Sequence, residues 1–289
     1  MKKKRLFIYF SIITAVFFSC SGAPKKTGDV FAIRSHAENL LELGSREAGR
    51  GNFDNALAIL NESKRNAVLS DDPSVIIRCS LSRANVLYSL GRMTEAFAEW
   101  EQAVEEAQKS GNAELESVCR IFLARGNLVS GRLPAQSVLD EVEREQANIK
   151  TDKLYIAFSW QVKGLALRAM GDYAKAEEAV KMSLDIHEKD IYLENASFDW
   201  YTIASIRSLS GNTQSALQAL DTAIAIDRRI ENSWGLAASW RAVGDVYMKE
   251  KKEKDALNAY NRAKAIYEAM GNSYETAEIN SRIAQIKIN

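Results

Sequence analysis

Gly51, Gly91, Gly131, Gly171 and Gly211 stand 40 residues apart, and Lys251 takes the next place in the series, so the chain reads as six copies of one unit. Only 15 of 289 residues are glycine, so five of them on one period point to a structural requirement rather than to composition. A repeat of roughly 20–50 residues marks stacked supersecondary units sharing one continuous core. Apolar residues recur at helical spacing on both sides of each glycine. In the fourth unit Trp160, Leu167 and Met170 precede Gly171, and Tyr173, Ala176, Val180 and Leu184 follow it. That spacing predicts two amphipathic helices per unit, joined by a turn whose glycine can adopt positive φ. Sustained β-branched alternation is missing, so no sheet is expected.

Each unit carries the same residue classes at the same places. An aromatic in the first helix is found at Trp160, Trp200 and Trp240, and a small residue at Ala84, Ala124, Gly164, Ala204 and Gly244. An aromatic follows the turn at Phe53 and Tyr173; Ala56, Ala96, Ala176, Ala216 and Ala256 open the second helix. Leu60, Trp100, Val180, Leu220 and Tyr260 supply its bulky position. In these residues the chain resembles tetratricopeptide repeats (TPRs), in a 40-residue form with lengthened helices, from residue 33 to about 287. The third unit departs from the pattern, and Ala135, Leu139 and Val142 restore it if its second helix is shifted by one residue behind Pro134. Residues 273–287 predict a last helix with Tyr274, Ala277, Ile283 and Ile286 on its apolar side, a cap for the stack. Asp72-Pro73, Gly111-Asn112 and Gly271-Asn272 mark unit boundaries. The expected fold is all-α: one right-handed superhelical TPR solenoid of about six helix pairs plus a C-terminal capping helix, covering residues 33–289 without a dividing linker.

The N-terminus reads differently. Lys2, Lys3, Lys4 and Arg5 precede an apolar run of 13 residues, Leu6 to Phe18, too short for the roughly 20 that span a bilayer. Ser19-Cys20 resembles the lipobox of bacterial lipoproteins, which implies a signal peptide over 1–19, acylation of Cys20 and a tether over 20–32. An ordinary signal peptide cut near Ala23, with Cys20 lost, stays open as the alternative. Ser21 in place of Asp implies, by the same resemblance, export and lipid anchoring to the outer membrane facing the periplasm. Removing residues 1–19 takes four of the 38 basic residues and leaves 34 against 38 acidic ones, a balance of −4 that carries no footprint of nucleic-acid binding.

Little here suggests catalysis. Cys79 and Cys119 occupy equivalent places in neighbouring units, and stacked helix pairs roughly 8–10 Å apart hold such residues beyond disulfide reach, so two free buried thiols are expected. His36 and His187, the two histidines, are read as surface or partly packed rather than as metal ligands. Phosphate-cradling loops, nucleophile turns and zinc pairs are missing, so no cofactor, no metal and no enzymatic activity is expected. The three tryptophans in register are assigned to packing between helices, and Lys249 to Lys254 to a solvated turn.

The TPR resemblance implies that function lies on the concave face formed by first helices, which in that family holds peptides or partner helices. Carried onto this frame, the face comprises Arg78, Leu81, Asn85 and Tyr88 in unit two, Ile121 and Arg125 in unit three, and Phe158, Gln161 and Arg168 in unit four. Units five and six add Phe198, Tyr201, Arg241 and Asp245. Leu81 stands where TPR proteins that grip a C-terminal carboxylate have Lys, so chaperone-tail binding is rejected. Two functions fit: a membrane-anchored adaptor holding a protein or peptide in this groove, or a small-molecule-binding accessory lipoprotein of a transport system.

Overall fold

The computed structural model describes residues 28–286, which form thirteen α-helices and, among these residues, no strand. The signal peptide, Cys20 and most of the tether lie outside them. Helices α1 (Gly28–Gly49) and α2 (Phe53–Leu69) form the first pair, and α3 (Pro73–Ser89) with α4 (Met93–Ser110) the second. Then come α5 (Ala113–Val129) with α6 (Ala135–Gln146), and α7 (Lys153–Ala169) with α8 (Tyr173–Lys189). The fifth pair is α9 (Leu193–Leu209) with α10 (Thr213–Ile230), the sixth α11 (Ser233–Lys249) with α12 (Glu253–Ala269), and α13 (Ser273–Ala284) is the last helix. Helix begins at Gly28, inside the stretch read as tether.

Turn chemistry sets the register. From Gly51 to Gly271 one residue every 20 adopts positive φ, between 50° and 90°, and the series is broken only at Thr151. The glycines do this freely; Asp71, Ile191, Glu231 and Lys251 do it against side-chain sterics. At Thr151 the turn is held instead by Glu114, whose carboxylate accepts from the Lys150 and Thr151 amides at 2.8 and 2.7 Å. Asp72, Asn112, Asn232 and Asn272 each accept the backbone N–H three residues on, which caps α3, α5, α11 and α13.

Packing within a pair is small against bulky. A Cβ on Gly164 would stand 2.4 Å from Val180, and one on Gly244 2.4 Å from Tyr260. Such contacts draw the first helix onto the second and leave no room for a methyl group. In the third unit the shifted register is found: Val138, Leu139 and Val142 of α6 are buried. In α13 the expectation fails in part, because Ile279 is the fully buried residue while Tyr274 is 78% exposed and Ala277 is also exposed. Ile283 and Ile286 do pack with Ile279, so the apolar stripe runs 279–283–286. Cys79 and Cys119 are free and buried, and burial pushes the Cys119 thiol up to about 12. Trp160, Trp200 and Trp240 sit half-buried against the core, with Glu188 of α8 accepting from Trp200 Nε1 and Arg262 of α12 lying over Trp240.

Successive odd-numbered helices approach one another from α1 to α11, and successive even-numbered ones make no comparable approach. The stack therefore curves with α1, α3, α5, α7, α9 and α11 inside. The curvature is tight enough that α11 also meets α1. Phe53 meets Trp234 edge to face at 5.0 Å, and Trp234 meets Tyr267 at 5.7 Å, so one indole joins the core of the first pair to that of the last. Gly51 lies directly under Met270, and Arg50 pairs with Glu231 at 3.1 Å across 181 residues.

Two carboxyls lie beside this closure. Asp227 is 1% exposed; Asn232 donates to its Oδ1 at 2.8 Å and its Oδ2 has no partner. Burial lifts its pKa from 3.8 to about 6, and Glu194 is raised as well, by burial and by Asp227. A raised carboxyl favours the fold fully below its unfolded pKa, and that contribution is lost as pH rises through the folded value. Asp227→Asn is therefore expected to match wild type below pH ~4 and to exceed its stability by about 3 kcal/mol at pH 7.5, measured by denaturant unfolding across pH. Ile191, a β-branched residue at φ 62° and 72% exposed, gives a second test. Ile191→Gly is expected to raise stability by about 1 kcal/mol, an increase of about 2–4 °C in Tm by calorimetry.

Candidate functional site

The inner wall is built by the odd-numbered helices, and the ladder between neighbours repeats with an offset near 37 residues. Arg168 donates to Ser205 at 3.1 Å across 37 residues, and Gln161 to Asp199 at 2.8 Å across 38. Arg282 of α13 donates to Asp245 across 37, and Arg241 pairs with Glu275. Helix α13 thus acts as the first helix of a seventh half-unit and extends the wall.

Three expected groove residues do not face open space. Leu81, Ile121 and Gln161 share the fifth position of their units and are 3%, 0% and 4% exposed. Tyr201 and Arg241 hold the same position in units five and six and are half-buried, so the fifth position is core in units two to four and part of the wall beyond them. Arg78, Asn85, Tyr88, Arg125, Phe158, Arg168, Phe198, Tyr201, Arg241 and Asp245 are all half-buried. Arg78 donates to Glu38 of α1 at 2.8 Å, and Asp245 also accepts from the Tyr260 hydroxyl at 2.7 Å. Tyr88 lies 6.0 Å from the Trp100 ring, and Phe198 6.1 Å from Tyr201. Cys20 lies outside the described residues.

Sequence reasoning passed over two aromatics on this wall. Phe122 stacks on Phe158 at 4.1 Å and takes the edge of Tyr155 at 6.5 Å. Burial pushes the Tyr155 hydroxyl up to about 12. Phe122 follows Ile121 directly, and only the helix rotation decides which of the two turns inward. Glu38 was within reach, since it precedes Arg78 by one 40-residue period.

His187 is wholly buried, not on the surface or partly packed. Its Nδ1 lies 2.6 Å from Asp199 Oδ2, Ser183 donates to the same oxygen at 2.9 Å, and Gln161 holds the other oxygen. Ser, His and Asp together suggest a nucleophile relay, but a relay needs serine and aspartate on opposite ring nitrogens. Here both address Nδ1, and Nε2 has no partner. The cluster instead ties α7, α8 and α9 together. Among the described residues no group of three or more His, Cys, Asp or Glu side chains is placed to hold a metal, and no helix is long and apolar enough to cross a membrane. A cleft of about 430 Å³ opens between α9, α11, α12 and α13, lined by Tyr201, Ser205, Asp245, Lys249 and Arg282.

No protein-family model matches this sequence, and no curated protein matches it. Solved structures do. The chain is similar to a Rap protein complexed with competence and sporulation factor, at 15% identity and a TM-score of 0.59, over 87% of this chain and 74% of that one. BtubC from P. vanneervenii aligns at 14% identity and TM-score 0.52, over 79% and 93%. A thermophilic TPR protein of Thermus thermophilus aligns at 17% and 0.50, over 73% and 98%. At these identities the likeness concerns the fold, which is an all-α, TPR-like superhelical solenoid.

The buried cluster makes its own prediction. Asp199→Ala removes the acceptor shared by Ser183, His187 and Gln161, and is expected to cost about 3 kcal/mol or more in chemical denaturation.

Proposed function

We propose that this protein is a non-enzymatic interaction adaptor whose inner wall holds a peptide or helix of a protein partner, and that acylated Cys20 keeps it at the outer membrane, facing the periplasm. The observation that carries the first half is the run of half-buried aromatic side chains along the wall: Tyr88, Phe122, Phe158, Phe198 and Tyr201. Aromatic groups left partly open in a concave surface supply the anchoring contacts of protein recognition. A wall made only of helices offers no strand edge, so recognition must run through side chains and favours a partner helix or an extended segment read by its residues. The similar Rap structure was determined in complex with a factor, which accords with this reading. Anchoring would add effective concentration: a tethered groove acts at about millimolar levels toward partners in the same layer.

A second reading, a small-molecule accessory of a transport system, draws on the cleft of about 430 Å³ beside Tyr201 and Asp245, a size that suits small ligands.

To separate them, the full chain is isolated with crosslinked partners beside a variant carrying Tyr88→Ala, Phe158→Ala, Phe198→Ala and Tyr201→Ala. A control with Arg65→Ala and Arg144→Ala changes exposed outer residues. With each anchoring aromatic contributing about 1–2 kcal/mol, the wall variant is expected to recover partners at least tenfold less well while the control matches wild type. Equal recovery from all three contradicts the adaptor reading. A fatty-acylated Cys20 in the mass spectrum of the mature chain, lost in Cys20→Ser, tests the anchor.

A further inference from the structure

Helix α13 repeats the first helices of the six pairs, but among the described residues it has no second helix of its own. Two positions show what such a helix covers elsewhere. The place held by Ala37, Ile77, Ser117, Ala157, Ser197 and Ala237 is buried in all six pairs, and so is the place held by Gly44, Ala84, Ala124, Gly164, Ala204 and Gly244. One 40-residue period further on, these places fall to Ala277 and Ala284, and both are exposed. In the complete units the second helix runs back along the first and sets a bulky side chain on the small one. A Cβ on Gly44, Gly164 or Gly244 would collide with Leu60, Val180 or Tyr260 of the same pair.

Spaced three, four and three residues apart, Tyr274, Ala277, Ser281 and Ala284 share one face of α13, turned away from the core residues Ile279 and Ile283. The cap of a repeat stack ordinarily shows water a polar outer face. This stripe carries no charge, and Tyr274 is the most exposed large apolar side chain among the described residues. Glu278, beside the stripe, is already paired with Arg282 at 3.3 Å, so covering the face strands no bare charge. We propose that α13 is a self-association surface, on which a second copy of this chain lays its own α13 antiparallel. The stripe fits itself. Two copies related by a two-fold axis near residue 279 set Tyr274 of each on Ala284 of the other, and Ala277 on Ser281. That is the bulky-on-small contact that joins the helix pairs of this molecule. A foreign helix would have to bring the bulky residue, whereas a second copy already carries it. Four side chains fall short of the ~800 Å² per partner of a standard interface, so the dimer is weak and depends on concentration.

The full chain is followed in detergent by sedimentation equilibrium over about a hundredfold range of concentration, beside Tyr274→Ser, Ala277→Arg and Ala284→Arg. All three positions are exposed, so each variant is expected to melt as wild type does when dilute. Wild type should show a reversible monomer–dimer equilibrium, weakened about tenfold or more in both Arg variants and about threefold in Tyr274→Ser. Register is read separately by oxidative crosslinking of two single variants, Ala277→Cys and Ser281→Cys. Mixed together they should form disulfide-linked dimers about fivefold more readily than either does alone, because antiparallel pairing brings residue 277 of one copy to residue 281 of the other. A wild type that stays monomeric throughout overturns the proposal. Dimers that withstand both Arg substitutions place self-association elsewhere and overturn it too, and equal crosslinking in the mixed and single samples overturns the antiparallel pairing. A monomeric wild type whose Ala284→Arg variant loses a crosslinked partner gives the face to a helix of another protein, and the second copy is then wrong.

Discussion

The close approach of two helices at a small residue governs this molecule. Where Gly164 lies on Val180 and Gly244 on Tyr260, the helices of a pair meet with no space for a further methyl group, and the same class of contact recurs through the stack. Bulk is thereby concentrated on the second helix of each unit, and the first helices draw together on the inside. Curvature follows from that asymmetry. With curvature fixed, the position of every inner side chain and the return of the last pair to the first are consequences rather than separate facts.

That return gives the solenoid a property that an open stack lacks. In a linear repeat array each unit is stabilised by its neighbours alone, and the terminal units are the first to fray. Here Trp234 lies between Phe53 and Tyr267, so opening the first pair exposes aromatic surface on the sixth as well. The ends of the spiral support one another, and the width of the inner space is held by a contact outside it. Asp227, buried beside this joint with one oxygen unpartnered, opposes the closed state at neutral pH, so the joint is weaker than its aromatic contacts alone would make it.

How much of this was legible in the sequence depends on the range of the interaction. Turn residues and helix pairs are local, and the 40-residue series placed the turns; even the one-residue shift of α6 could be read from Leu139 and Val142. Positions one step from an axis were less secure. Phe122 rather than Ile121 faces inward, and Ile279 rather than Tyr274 faces the core, because the rotation of each helix about its axis is set by its neighbours. Leu81, Ile121 and Gln161 were assigned to the groove on the family's frame, which takes no account of how tightly these units curve. The burial of His187 turned on Asp199, twelve residues away on the next helix. Trp234 stands outside the repeat pattern, and its meeting with Phe53 depends on the summed rotation of all the intervening units, which no local pattern records.

The same distinction separates the buried Asp199 from the half-buried arginines in the middle of the wall. Asp199 is surrounded by donors from two neighbouring helices, and its carboxyl group is part of the scaffold. Arg125 and Arg168 lie on the wall where scaffold donors and acceptors end, with aromatic side chains on either side. The wall's ends were supplied with Glu38, Glu275 and Asp245, each from a helix adjoining the arginine it neutralises, so the units themselves can furnish carboxylates at this face. Their absence beside the two central arginines, among the described residues, is a local departure from what the repeat does at the ends of the wall, and it shows that pairing at this face is set unit by unit rather than by the repeat itself.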